Sequence, residues 1–264
     1  MPTRTKRLYD PSSSEPFKLS RSKIEDFVHC PRCFYLDRRL GVGKPSMPGF
    51  TLNSAVDTLF KKEFDVHRLA GRPHAIMEAY GIDAIPYTHD SLDKWRENFH
   101  GVQYLHPPTN FIIFGAVDDL WVNPAGELIV VDYKSTSKEG EVTLEDKWKQ
   151  SYKRQMEIYQ WLLRRNGFKV TSTGYFVYAN GTTDRAAFDA KLEFDITLLP
   201  YDGDDAWVEP AIIRAHDCLV AADLPASDEA CEYCQYRQDA DKFEKSGARG
   251  QITDNRNQTS PSDL

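Results

Sequence analysis

FIIFGAVDDLWVNPAGELIVVDYKST, residues 111–136, holds two β-rich runs parted by Asn123-Pro124-Ala125-Gly126. Pro and Gly break a strand, so the two runs predict a hairpin closed by a short turn. Side chains alternate along a strand, which puts Asp132 and Lys134 on one face and Tyr133 on the other. Leu128-Ile129-Val130-Val131 is an unbroken apolar run, the pattern of a strand covered on both faces. Charges emerging from the end of such a strand are costly unless they are paired or hold a cation. Asp118, at the end of the first run, faces this acid and lysine. Two carboxylates beside an ammonium suit a divalent ion and the activation of a water next to a phosphate. An isolated Asp-x-Lys is more often a solvated ion pair, and the apolar run ahead of Asp132 argues against that plainer reading.

Outward from the hairpin, KQSYKRQMEIYQWLLRRNG is a strongly amphipathic helix with Met156, Tyr159, Leu162 and Leu163 turned inward and Gly167 placed to end it. KVTSTGYFVYANG and AFDAKLEFDITLLP predict two more strands, and WVEPAIIRAHDCLVAADLP a later helix. Upstream, SRSKIEDFVHCPRCFYL reads as helical, with Pro31 at the start of a second segment. LNSAVDTLFKKEFDVHRLAG is a longer helix with Val56, Leu59, Phe60 and Phe64 at helical spacing, stopped by Gly71. Residues 73–110 are ambiguous apart from a short helix in SLDKWRENFHG. The order of helices, strand pair, long helix, strand pair and helix predicts a mixed α/β core with a helix crossing over the sheet. Residues 1–17 read as a disordered leader, 18–237 as one domain and 238–264 as a disordered tail.

The 264 residues carry a net charge of −7, with 41% hydrophobic content. That is enough for one sizeable core. It is not the strongly basic balance that marks binding to nucleic acid by bulk charge, so any such binding needs a local groove; KLSRSK, LDRRLGVGK and KWKQSYKR supply local basic stretches. No run is long and apolar enough to span a membrane and the N-terminus lacks a signal-peptide core, so a cytoplasmic address is expected. Of the five cysteines, Cys30 and Cys33 form one Cys-x-x-Cys, Cys231 and Cys234 another, and Cys218 stands apart. In a cytoplasmic chain paired Cys-x-x-Cys elements favour metal over disulfides. Four thiolates suit zinc or an iron–sulfur cluster, and pairs so far apart in sequence would tie the chain ends together.

Four segments together resemble the PD-(D/E)XK nucleases of the RecB-like branch, which includes recombination-helicase nuclease domains and CRISPR-associated nucleases with iron–sulfur clusters. They are SRSKIEDFVHCPRCFYL, Gly115-Ala116-Val117-Asp118, Val131-Asp132-Tyr133-Lys134, and Gln155-Met156-Glu157-Ile158-Tyr159. The resemblance implies a restriction-endonuclease-like fold: a mixed central sheet flanked by helices, with a crossover helix after the Asp-x-Lys strand. It implies Asp118, Asp132 and Lys134 as catalytic residues. Mg²⁺ or Mn²⁺ would be held by Asp118, Asp132 and the Tyr133 carbonyl, and Lys134 would position or deprotonate the attacking water. Asp119 is a rival ligand on strand parity, and Gln155 and Tyr159 would contact nucleic acid. Two departures stand out. The family's early helix usually carries a metal-binding histidine, where this chain offers Asp57. Cluster-bearing members usually have one early cysteine and three late, where this chain has two and two. Cys30, Cys33, Cys231 and Cys234 would therefore hold the 4Fe–4S cluster, with Zn²⁺ as the alternative. The expected function is metal-dependent hydrolysis of phosphodiester bonds in DNA, single-stranded or at duplex ends, in repair, recombination or defence. A helicase or other nucleic-acid-processing subunit would be its partner, since the chain has no helicase motif. The alternative is a nucleic-acid-binding module of the same fold with little or no catalysis.

Overall fold

The apolar run Leu128–Val131 becomes the middle of a sheet, in strand β6 (Leu128–Thr136), which is buried from Leu128 to Tyr133. The structure, a computed structural model, describes residues 7–45 and 49–245. The chain begins with β1 (Phe17–Ser20), then α1 (Arg21–His29), α2 (Pro31–Arg38) and α3 (Thr51–Ala70). The ambiguous stretch resolves into α4 (Ala75–Ala79), β2 (Ile85–Pro86), α5 (Leu92–Trp95) and β3 (Val102–His106). Then come β4 (Phe111–Gly115), β5 (Asp119–Val122) and β6, followed by the crossover helix α6 (Gln150–Arg165). β7 (Thr173–Gly181), β8 (Phe194–Asp202), α7 (Val208–Val220) and α8 (Glu232–Lys245) complete the order.

There are two mixed sheets. One runs β2-β5-β6-β7-β8, with β6 antiparallel to β5 and parallel to β7; the other runs β1-β4-β3. The hairpin forms as expected between β5 and β6, with Asp119 opposite Val131 and Val122 opposite Leu128. The first run, however, is not one strand. It breaks after Gly115, so that β4 belongs to the small sheet and β5 to the large one. Glycine is required at the break: a Cβ on Gly115 would come within 2.6 Å of Tyr159 Cε1, and Gly101, at φ +62°, lies directly against the Gly115 backbone. No side chain fits at either position, and the chain turns there from one sheet to the other.

α6 is buried from Gln155 to Leu163 and packs on β3 and β4 of the small sheet and on β6 of the large one. A helix covered all round is apolar all round except where its polar groups have partners, and Gln155, Glu157 and Gln160 all do. On the other face of the large sheet, Phe60 and Phe64 of α3 stack on Tyr133 and Trp121. Within the segment read as a leader, Tyr9 packs edge-on against Phe17 and Phe111, and its N–H donates to the Arg38 carbonyl (2.8 Å). At the far end α8 reaches Lys245, inside the segment read as a tail. Residues 1–6 and 246–264 lie outside the described residues. Among the described residues no helix is long and apolar enough to cross a membrane.

Candidate active site

Strand alternation does what the sequence predicts: Asp132 and Lys134 turn to α6, while Tyr133 turns to α3. Gln155 Nε2 donates to Asp132 Oδ1 (2.7 Å) and lies 3.1 Å from the Tyr159 hydroxyl. Asp132 is fully buried, and its second oxygen, Oδ2, is ion-paired with the Lys134 ammonium. The Lys134 ammonium also lies 4.6 Å over the Tyr152 ring.

Asp118 sits in the turn between β4 and β5. Its Oδ2 accepts from the Tyr133 backbone N–H (3.0 Å), and Arg96 Nε donates to its carbonyl (3.1 Å). Asp119, the rival, faces the other way. It is fully buried, paired with Arg68 and Arg96, and its Oδ2 accepts from the Tyr133 hydroxyl (2.7 Å). Its lone pairs are committed to this network, while Asp118 remains part-exposed. α3 brings Asp57 to the same place: Lys61 Nζ lies 2.8 Å from Asp57 and 3.6 Å from Asp118.

A cleft of about 520 Å³ lies beside these groups, and the fully buried Asp119 and Asp132 are not among the residues that line it. Asp57, Asp118, Lys134, Gln155, Tyr159 and the strand residue Tyr133 all reach it. Three further residues there were not singled out from the sequence: Arg21, Lys61 and Tyr152. Arg21, the first residue of α1, is hydrogen-bonded to Tyr159. Burial disfavours its charge, but Tyr159 and Asp132 outweigh that and raise its pKa. The only signal for it was the short basic stretch KLSRSK. Lys61 could have been found as the residue one turn after Asp57 on the same helix face. Trp148, just before α6, is 58% exposed and meets Tyr152 edge-on at 5.3 Å at the margin of the cleft.

The electrostatics follow from crowding. Burial pushes the Asp132 carboxyl up to about 7, with Lys134 opposing and Asp118 adding to the rise. Asp57 is also raised, by burial and by Asp118, against the pull of Lys61. Lys134 is raised in turn: burial disfavours its charge, but Asp132 and Asp118 more than restore it. Burial, and Asp118 beside them, raise both Asp57 and Asp132, and carboxylates crowded in this way suit a hard divalent cation. The residues present therefore fit Mg²⁺ or Mn²⁺.

Away from this cleft, Cys30, Cys33, Cys231 and Cys234 come together with all their Sγ atoms within 4.8 Å of one another, and all four are buried. Cys218 stays outside the group, with its Sγ 3.8 Å from the Pro31 carbonyl.

A family model described as the PD-(D/E)XK nuclease superfamily matches residues 18–238. A solved structure titled "Crystal structure of SSO0001" is 19% identical, over 86% of this chain and 86% of that one, with a TM-score of 0.37. A search of curated proteins finds no match.

Proposed function

The chain belongs to the PD-(D/E)XK nuclease superfamily, and from that premise we propose that it hydrolyses phosphodiester bonds in DNA with a divalent metal ion. The observation that carries this reading is Asp118 and Lys134 on the wall of the cleft, with Asp132 buried behind Lys134 and held by Gln155.

Asp118 and Asp132 would hold the ion, with Asp57 and the Tyr133 carbonyl as the further oxygen donors within reach. The ion, when bound, would polarise the scissile phosphate and acidify a water. Gln155 fixes the Asp132 carboxylate through Oδ1, and Oδ2, paired here with the Lys134 ammonium, would turn from that pair to the ion. Asp132 and Asp118 favour the charged form of Lys134 over the cost of its burial, and the ammonium would orient the water and offset phosphate charge. Arg21 and Tyr159, on the floor of the cleft, are placed to meet a second phosphate.

The test is cleavage of end-labelled single- and double-stranded DNA with Mg²⁺, Mn²⁺ or EDTA. Wild type should give metal-dependent products, and Lys134→Ala should lower the rate by about 10²–10³-fold, the usual scale for a lost electrostatic donor, while leaving the fold intact. Full activity in that variant would overturn the assignment.

Lys61 supports a second reading. Its ammonium already bridges Asp57 and Asp118, so an internal cation could stand in for the ion in a module that binds nucleic acid without cutting it. That module would bind DNA with an affinity that falls with salt and give no products with any metal.

A further inference from the structure

The spacing of the four sulfurs decides what they can hold. Cys30 Sγ lies 3.8 Å from Cys234 Sγ, Cys33 Sγ 3.7 Å from Cys231 Sγ and 3.5 Å from Cys234 Sγ. No pair in the quartet is further apart than 4.8 Å. Four thiolates around one tetrahedral ion with bonds of about 2.3 Å stand about 3.8 Å apart. In a four-iron cube each thiolate takes a separate iron at its own corner, which spreads the sulfurs well beyond the distance they keep around one shared ion. A two-iron centre puts pairs of thiolates on different irons and likewise cannot keep all four within this radius. The quartet does not fit the iron–sulfur cluster that the family resemblance implies.

The geometry points to a single Zn²⁺ ion in a closed Cys₄ site that fastens the C-terminal helix to the N-terminal pair. Each Cys-x-x-Cys stands at the start of a helix. Cys30 caps α2 and Cys33 lies in its first turn; Cys231 directly precedes α8 and Cys234 lies in its first turn. The Phe34 N–H donates to the Cys30 carbonyl (3.1 Å), and the Gln235 N–H to that of Cys231 (3.0 Å). Both pairs thus sit at helix N-termini, whose partial positive charge would offset some of the charge of four metal-bound thiolates. All four ligand positions are filled by protein, which is the mark of a structural rather than a catalytic ion. Zinc is chosen over a lone ferrous ion because a given donor set binds it more tightly.

The packing shows why an ion is needed. Cys234 is the only buried residue of α8, and the buried cluster around it consists of the four cysteines alone. Beyond Cys234 the helix meets the body through partly exposed side chains, as where the Lys44 ammonium lies 5.0 Å over the Tyr233 ring. A helix with a single buried thiol does not offset the entropy of being fixed in place, whereas a zinc–thiolate site contributes folding free energy outright.

This inference is independent of the nuclease reading, because its test needs no activity. The full chain is expressed with both iron and zinc supplied, purified without oxygen, and assayed for metals and acid-labile sulfide. The expected result is about one zinc per chain, no sulfide and no visible absorption; replacement by Co²⁺ should then give the colour of a tetrahedral thiolate site. Iron with sulfide, a single iron without sulfide, or protein free of metal would each overturn it. Cys33→Ser and Cys234→Ser should lose the zinc. Because these variants could also unfold, wild-type protein is stripped with a zinc chelator and probed by limited proteolysis. Cleavage between α7 and α8 should appear on stripping and vanish on adding zinc back; an unchanged digestion pattern would overturn the clasp.

Discussion

Asp118 and Asp119 are adjacent and chemically identical, yet the structure gives them opposite surroundings. Asp119 neutralises Arg68 and Arg96 inside the protein. Asp119→Asn leaves two buried guanidinium groups short of charge and should cost about 3–5 kcal/mol of stability, the scale for breaking a buried pair. Asp118→Asn removes a carboxylate from a crowd of acids and should change stability little while abolishing the response to Mg²⁺. Urea unfolding of both variants, with and without Mg²⁺, separates the two roles. Asp132 adds a dependence on pH. Its carboxyl is raised to about 7, so below that value a proton occupies the group and must leave before an ion can bind. The Mg²⁺-induced rise in melting temperature should be full at pH 8 and shrink as pH falls through 7 toward 6. An equal rise at pH 6 and pH 8 would show that Asp132 takes no part in holding the ion.

At the scale of elements, the hairpin, the crossover helix and the later strand pair were legible because each carries its own periodicity and its own stop signal. The break between β4 and β5 was not. FIIFGAVDDLWV reads as one strand because nothing local interrupts its β propensity. The glycine at the interruption is demanded by Tyr159, which is distant in sequence and occupies the space where a Cβ on Gly115 would be. Gly115→Ala should therefore push Tyr159 away and loosen Gln155 beside it. Overpacking of this kind costs about 1–3 kcal/mol, and the loss of activity should exceed what the residual fold accounts for, as read by circular dichroism beside the cleavage assay. β1 and β3 escaped notice for another reason: both are short, and β3 lies in a stretch of weak pattern. Of the site, the residues on strands and on α6 could be read from alternation and spacing. Arg21 and Lys61 left weaker traces, a short basic stretch and a place one turn after Asp57, since a lone cation on a helix resembles solvated surface until its partners are known.

At the scale of the whole molecule, a chain of net charge −7 gathers Arg21, Lys61, Arg96 and Lys134 around one cleft. Bulk charge concealed this gathering, because it sums over surfaces the substrate never meets. The same cleft carries its own optical probe. The chain has five tryptophans. Trp121 and Trp161 are buried, Trp95 and Trp207 are half-buried, and Trp148 alone is exposed, with Tyr152 between it and Lys134. Iodide in solution should quench chiefly the emission of Trp148. An oligonucleotide lying across the cleft would shield that indole or stack on it, so unmodified protein should report occupancy through a fall in iodide-accessible fluorescence, with Trp148→Phe as the dark control. Binding could then be followed in EDTA, with no label and no turnover, which separates a nucleic-acid grip from the cutting that follows it.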